Sequence, residues 1–462
     1  MADPADLTPP LAARWLDVAG IGLLLLGASM TISGGFREMT PLGRISVTSW
    51  ERPLLLGTLL LLGRHWWWRR PGAGSRFLQA LGQGWRSEAA RAVWPVAISS
   101  RLAVLVVGFL GITLIGYAPG TPPYRVYNND FLDMPARWDT GWYMGIATNG
   151  YSFDPAASGT MQNIAFFPMY PMLMRYLGLF AARQVIWVGV AISITAFLWA
   201  TLYIFRLART RLGDDAAAAG VGFLAVYPFA LFFSAAYTES LFLLATVASC
   251  FHFERDQLAK AATWGLVAGL TRPNGCLLSV VLALMALRQW QTTSWQAMTA
   301  RILSASAPGI GMLIFSAYIY FLTGTSFQWA SQHGAWGRVY RGLDSLISDR
   351  VRYIEINGLY NYASTLSLDV LNSSAALFAL ASVWPVYRRL GIPYAAMILL
   401  NVLLPLTFGG VLSMGRVTAV MFPAFMWLGA AVPAAHRSGW LVGLAMLQAV
   451  CAIAFFTWRP LY

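Results

Sequence analysis

One apolar run follows another along this chain, many near the ~20 residues a membrane-crossing helix needs, and short arginine-bearing loops separate them. Hydrophobic residues fill 58% of the 462 positions and charged residues only 11%. A soluble domain has no interior large enough to hide that share, so the chain reads as an all-α polytopic membrane protein. Leu, Ala and Gly dominate the runs, without the alternation of a membrane barrel. The formal net charge of +13 is carried by Arg, with the single Lys260. In a membrane chain such an excess follows the positive-inside bias, and nucleic-acid binding is set aside. Cys250, Cys276 and Cys451 sit in or beside apolar runs with no paired spacing, which suits core packing.

The arginines orient the runs. Arg64, Arg69, Arg70, Arg76, Arg86 and Arg91 share one loop, and Arg206, Arg209 and Arg211 another. Arg255 with Lys260, Arg288 with Arg301, Arg388-Arg389 and Arg437 follow. With all of these cytoplasmic, the spans alternate over about 15–33, 52–63, 93–116, 184–205, 216–235, 238–253, 261–271, 275–288, 304–322, 368–387, 392–411, 417–434 and 438–456. The expectation is roughly 11–13 transmembrane helices, several of them short for a full crossing. Phe166–Phe180, broken by Pro168 and Pro171, is placed as a partly buried element on the outer surface. Residues 1–13 read as a polar tail, and Val18–Ile32 as a retained helix rather than a signal peptide. Residues 1–92 are then a tail, a helical hairpin and a basic cytoplasmic loop. Residues 93–462 are a membrane domain with outer loops at about 117–183 and 323–367.

This orientation puts five polar clusters on one face. They are the aromatic island 117–163, Tyr237-Thr238-Glu239-Ser240, Arg272-Pro273-Asn274-Gly275, the 323–367 loop, and Ser413-Met414-Gly415-Arg416. Within the island, Asp130, Asp133 and Asp139 lie among Tyr124, Tyr127, Trp138, Trp142 and Tyr143. A carboxylate there can take a proton from an attacking hydroxyl, and aromatic faces can stack on a sugar ring. The plainer readings are an interfacial belt for the aromatics and capping or solvation for Asp130 and Asp133. Asp139 stands out, flanked by Arg137 and Trp138 and followed closely by Gly141. Glu239 is an acid between two apolar runs, either used chemically or complementing a helix start behind Thr238. Arg272 and Arg416 suit phosphate oxygens, or snorkel to headgroups. Gln328, Trp336 and Arg338 open the long outer loop, and Gln328 either binds a hydroxyl or caps a helix.

Several chemistries drop out. The chain has no P-loop, no dinucleotide fingerprint and no His-Glu-x-x-His or Cys-x-x-Cys motif. His65, His252, His333 and His436 are scattered. Asp130, Asp133 and Asp139 could hold Mg²⁺ or Mn²⁺ through water, but no compact ligand set is visible, so neither metal nor cofactor is expected. No cytoplasmic loop is long enough for a nucleotide-sugar domain. A sugar transferase acting on the outer face would therefore draw on a lipid-linked donor.

The residues at these clusters resemble a known family. Arg137-Trp138-Asp139-Thr140-Gly141-Trp142-Tyr143 and the following Asn163-Ile164-Ala165-Phe166-Phe167-Pro168 are similar to motifs of PIG-V, the second mannosyltransferase of glycosylphosphatidylinositol anchor synthesis, and its bacterial relatives. Ala236-Tyr237-Thr238-Glu239-Ser240 resembles a second motif. Arg272-Pro273-Asn274-Gly275 resembles a third, with Pro273 where Ser is more usual. Ser413-Met414-Gly415-Arg416 with Phe422-Pro423 resembles the C-terminal pattern of the bacterial branch. The likeness covers about residues 93–432. It implies a GT-C bundle acting on the extracytoplasmic side, a polyprenyl-phosphate-linked donor, typically of mannose, and inverting transfer with Asp139 as base. It also implies Arg272 and Arg416 near the donor phosphate, and Arg338 of the long outer loop is a further candidate for the same role. Arg137, Trp138, Trp142, Tyr143, Asn163, Tyr237, Glu239, Asn274, Gln328 and Trp336 become candidates for substrate contacts.

The expected partners are the lipid-linked donor, a lipid or glycan acceptor and the bilayer of a bacterial inner membrane. Two rival readings stay open: a lipid-linked sugar flippase or transporter, and a non-catalytic binder of lipid-linked glycans. A transporter would call for inverted repeats and ionisable groups at the membrane middle.

Overall fold

A computed structural model describes residues 10–33, 36–40, 43–47, 49–68, 72, 79, 82–120, 125–157, 159–179, 181, 184–340 and 342–461. Residues 1–9 of the tail, Arg69, Arg70, Arg76 and Tyr124 lie outside the described residues. The chain divides into two units, 1–91 with 175–185, and 92–174 with 186–462.

In the first unit, helices α1 (Leu11–Ser33) and α2 (Glu51–Trp67) pack together. Gly20 and Gly57 remove the side chains that would hold the backbones apart. Asp17 and Arg64, both buried, pair at 2.8 Å. One short strand pair accompanies the helices here. Strands β1 (Phe36–Thr40) and β2 (Gly43–Val47) form an antiparallel pair, with Phe36 opposite Val47 and Thr40 opposite Gly43. Each strand is five residues long, too short for an apolar-run reading to register.

The remaining helices follow in chain order, and all but the ends of three of them, at residues 88–91, 175–178 and 185, belong to the second unit. They are α3 (Glu88–Leu110), α4 (Thr140–Asn149), α5 (Met169–Gly178), α6 (Val185–Leu212), α7 (Asp214–Val226), α8 (Glu239–Phe253), α9 (Leu258–Thr271), α10 (Leu278–Leu287), α11 (Trp295–Thr323), α12 (Gln328–Gln332), α13 (Leu343–Asn357), α14 (Leu359–Thr365), α15 (Ser367–Leu390), α16 (Ile392–Thr407), α17 (Met414–Ala419), α18 (Phe422–Ala431) and α19 (Ala434–Phe456). Among the described residues five helices are long and apolar enough to cross a membrane: α3 with its extension to Leu114, α6, α11, α15 and α19. Together with the composition, they make the chain an integral membrane protein. The apolar runs expected as further spans instead form α7 bent against a 3-10 turn, and the shorter α8, α10, α16 and α18. Pro and Gly at Pro228, Pro273, Gly409-Gly410 and Pro423 interrupt these runs before they reach ~20 residues.

The sharpest break lies between α7 and the 3-10 turn Pro228–Ser234, which meet at 81°. A broken helix inside a membrane leaves carbonyls that must find donors within the protein. Two buried side chains supply them. Arg101 of α3 donates to the carbonyls of Ala225 (2.6 Å) and Ala230, and its guanidinium lies over Phe197. Gln448 of α19 donates to Ala225 (3.1 Å) and Tyr227 (2.8 Å). Glycines allow two further close approaches. A Cβ at Gly269 of α9 would strike the Pro308 carbonyl of α11, and one at Gly415 of α17 would strike the Phe229 ring. The second approach seats α17, and with it Arg416.

Helix direction separates two ends of this unit. α8 starts at Glu239 and finishes near Arg255, and α9 returns to Arg272. The basic loops gather at the far end, where Arg211 and Tyr394 both reach Glu254 at 2.6 Å and Arg437 reaches Asp215 at 2.7 Å. The polar motifs gather at the other.

Candidate active site

Asp139 sits at the N-cap position of α4, where an aspartate ordinarily spends its carboxylate on the first free amides of the helix. Here it makes no such cap. The preceding Trp138 has φ +50°, unusual for a bulky residue, and the Asp139 amide donates to the Tyr237 hydroxyl at 3.1 Å. This backbone leaves the carboxylate to a partner 277 residues away: Arg416 Nη1 donates to Asp139 Oδ2 at 2.7 Å. Oδ1 has no hydrogen-bond partner among the described residues.

Arg416 begins a short chain of alternating charges. Its Nε donates to Glu239 Oε1 at 2.8 Å, and Arg272 Nη1 donates to the same oxygen at 2.8 Å. Glu239 is fully buried, and its Oε2 has no hydrogen-bond partner among the described residues. The Arg416 guanidinium also lies over the Tyr237 ring at 4.7 Å and the Phe232 ring at 5.1 Å. Ser413, three residues before it, has φ +61°. Two non-glycine residues in the left-handed region thus flank the two partners of one ion pair, a strained arrangement of the kind found at functional sites.

Asp139, Arg272 and Arg416 line a cavity of about 710 Å³ together with Tyr143, Trp336 and Arg338. Arg338 is half-buried in the wall and has no carboxylate partner among the described residues. Burial, then the neighbouring Arg416 and Arg272, pulls its guanidinium down to about 10, so it still carries its charge at neutral pH. Burial likewise pushes the Tyr143 hydroxyl up, with Asp139 and Glu239 adding to the effect, so it stays a neutral donor beside Thr238 Oγ1 at 3.4 Å. The other end of the cavity carries Ser345, Asp349, Arg350, Asp369 and Asn372. There Arg350 forks onto Asp369, with Nε to Oδ2 at 2.8 Å, and Tyr362 donates to the same carboxylate.

The remaining sequence candidates lie outside the cavity lining. Arg137 is fully buried, and its guanidinium donates to the carbonyls of Phe456 (2.7 Å) and Asp133 (2.7 Å) and to the Tyr117 hydroxyl (3.2 Å). It pins the loop before Asp139 to the end of α19. Trp138 packs on Trp458. Trp142 stacks on Phe166 and meets Trp336 edge-on, backing the cavity wall. Tyr237 supports Asp139 and Arg416 from behind. Asn163 ties its own loop, accepting from the Ser152 amide and donating to Gly150. Asn274 donates to Asn401 at 2.7 Å. Gln328 starts α12 away from the cavity. Asp133 accepts three amides, from Val126, Tyr127 and Asn129, and Asp130 pairs with Arg125 and Tyr117.

Sequence reasoning overlooked His333, which lines the cavity, and the Arg350–Asp369 pair. Trp329, His333 and Trp336 recur at helical spacing just ahead of Arg338, a signal for the first. Nothing local signals the second. No group of three or more His, Cys, Asp or Glu poised for a metal occurs among the described residues.

Comparison with known proteins adds to this geometry. The chain is 27% identical over 158 residues to GPI mannosyltransferase 2 of Drosophila pseudoobscura pseudoobscura, covering 30% of this chain and 32% of that relative. It therefore spans about a third of the relative's length. Among solved structures it is similar to ArnT from Cupriavidus metallidurans bound to undecaprenyl phosphate, with TM-score 0.44, 11% identity and 78% and 76% of the two chains covered. It is also similar to the Archaeoglobus fulgidus oligosaccharyltransferase in complex with Zn and sulfate, with TM-score 0.37, 13% identity and 79% and 53% covered. The family profile described as Mannosyltransferase (PIG-V) matches residues 122–362, more than half of the sequence, and the chain belongs to that family.

Proposed function

We propose that this protein is a membrane glycosyltransferase that moves a hexose, mannose by family, from a polyprenyl-phosphate-linked donor to an acceptor hydroxyl. The reaction takes place on the extracytoplasmic face, in a bacterial inner membrane, and inverts the anomeric centre. The observation that carries this reading is one cavity lined by Asp139, freed from its helix cap and paired with Arg416, together with two further guanidiniums, of which Arg338 has no carboxylate partner among the described residues.

Asp139 Oδ1 takes the proton of the acceptor hydroxyl. The acceptor oxygen bonds to the anomeric carbon from the face opposite the phosphate. The bond from that carbon to the phosphate oxygen breaks, and its electron pair stays on the phosphate. A single displacement needs one carboxylate base, unlike the paired carboxylates of a retaining glycosidase. The leaving group departs as an anion, so no general acid is required. Arg338, Arg272 and Arg416 answer the charge that develops on it. Arg416 also fixes Oδ2, which holds the other carboxylate oxygen in one orientation.

The decisive experiment is transfer from a polyprenyl-phosphate mannose in reconstituted vesicles. Wild-type protein transfers the sugar and releases polyprenyl phosphate, and Asp139→Asn does neither while folding normally. Undiminished turnover by Asp139→Asn overturns the assignment.

A further inference from the structure

His333 is the histidine that lines the cavity, and nothing in the reaction above uses it. It opens the short turn His333–Trp336 between α12 and α13, and its carbonyl accepts the Arg338 amide at 3.3 Å. His333 and Arg338 are thus held on one piece of backbone. The imidazole lies between Trp329 and Trp336, with ring centroids 6.4 Å from each. Its Nε2 is shut off from solvent and has no hydrogen-bond partner among the described residues. A buried polar atom without a partner needs an explanation, and one in a cavity wall points to a missing ligand.

The charges that act on the ring identify the ligand's sign. They are Arg338 on its own turn and Arg272 at the end of α9, both cations, while the two tryptophans that flank it are neutral. Asp139 and Glu239 are engaged with Arg416 and Arg272. Burial, then Arg338 and Arg272, hold the imidazole down to about 4, so with these neighbours it is neutral at pH 7. An anion beside the two guanidiniums cancels that repulsion and gives Nε2 an acceptor.

We propose that His333 takes up one proton from solvent when a phosphate group enters the cavity beside Arg272 and Arg338, and donates Nε2–H to that phosphate. The proposal rests on the phosphate-binding reading of the cavity. A proton moves from water to the imidazole, and no covalent bond to phosphorus forms or breaks. Transfer converts a singly charged phosphodiester into a monoester that carries more charge. The protonated ring therefore matches the product better than the donor, and its deprotonation accompanies release of the lipid.

The test is calorimetric titration of purified protein with polyprenyl phosphate at pH 7, in two buffers of different ionisation enthalpy. A phosphate monoester with a second pKa of about 6 loses protons on entering a cationic site, so net uptake belongs to the protein. We expect uptake of a fraction of a proton by wild type and none by His333→Gln. We also expect the affinity of wild type relative to His333→Gln to rise by up to about tenfold per pH unit as pH falls from 8 to 6. Binding by wild type without net uptake overturns the role of His333, and that result stands without the variant. So does an uptake that persists unchanged in His333→Gln. Arg338→Ala separates the two levels of inference, with binding weakened at every pH. If wild type fails to bind the lipid phosphate at all, the phosphate reading falls and the His333 proposal falls with it.

Discussion

Arg137 and Arg416 both lie at or beside the cavity and both are largely removed from water, yet their partners differ in kind. Arg137 is surrounded by backbone carbonyls and one hydroxyl, neutral acceptors all. Arg101 repeats the pattern at the α7 break. Arg416 is held by two carboxylates, one of them lining the cavity. A buried cation answered by carbonyls closes a structure. One answered by carboxylates beside open space can exchange part of its charge with an incoming anion, and its desolvation cost is what makes that exchange specific. The contrast shows why proximity to Asp139 in sequence is a poor guide: Arg137 is two residues away and outside the cavity lining, whereas Arg416 is 277 residues away and lines it.

The strongest way to break this comparison is to remove the proposed proton acceptor. Asp139→Asn should cost about 10²–10⁴-fold in turnover, the range for a general base, with thermal unfolding in detergent close to wild type. Glu239→Ala strips the shared partner from two arginines, and a buried pair broken on one side costs about 3–5 kcal/mol. Its unfolding midpoint should drop clearly, whereas Glu239→Gln should fold better and still lose activity. Arg137→Met leaves the Phe456 carbonyl without a donor, at about 1–3 kcal/mol, and takes one of two donors from the Asp133 carbonyl. Stability should fall while the donor KM of the folded fraction is unchanged, and a selective rise in KM would place Arg137 with Arg416 after all. Arg338→Gln should raise the donor KM about tenfold, the loss of one charge-assisted hydrogen bond of about 1.4 kcal/mol, with little change in stability. Asn274→Ala, which loses only the link to Asn401, should cost about 1 kcal/mol of stability and leave turnover within about twofold.

Much of the fold was legible locally. Most apolar runs named from the sequence became a helix or a bent pair, because an apolar segment in a bilayer must close its own backbone hydrogen bonds. The run 304–322 lies inside the longer α11, and 417–434 divides between α17 and α18. The four motifs around Asp139, Glu239, Arg272 and Arg416 were also legible as polar interruptions of those runs, and they converge on one network. The commitments of Asn163 and Asn274 were not legible. Their amides look the same whether they face a sugar or a neighbouring loop, and only the opposing residue decides. The helical spacing of Trp329, His333 and Trp336 marks one face, but whether that face lines a cavity depends on what packs opposite it.

The sequence by itself determined that this chain enters a membrane as helices, where those helices break, and which polar clusters share an end. Hydrophobicity and the rigid chemistry of Pro and Gly act over a few residues and need no distant partner. Only the tertiary structure decided which arginines are anchors and which belong to the cavity, that Asp139 abandons its helix cap for Arg416, and that Nε2 of His333 is left without a partner. Those outcomes depend on the desolvation and pairing of charges brought together across hundreds of residues, where one carbonyl or carboxylate more within 3 Å changes a side chain's role.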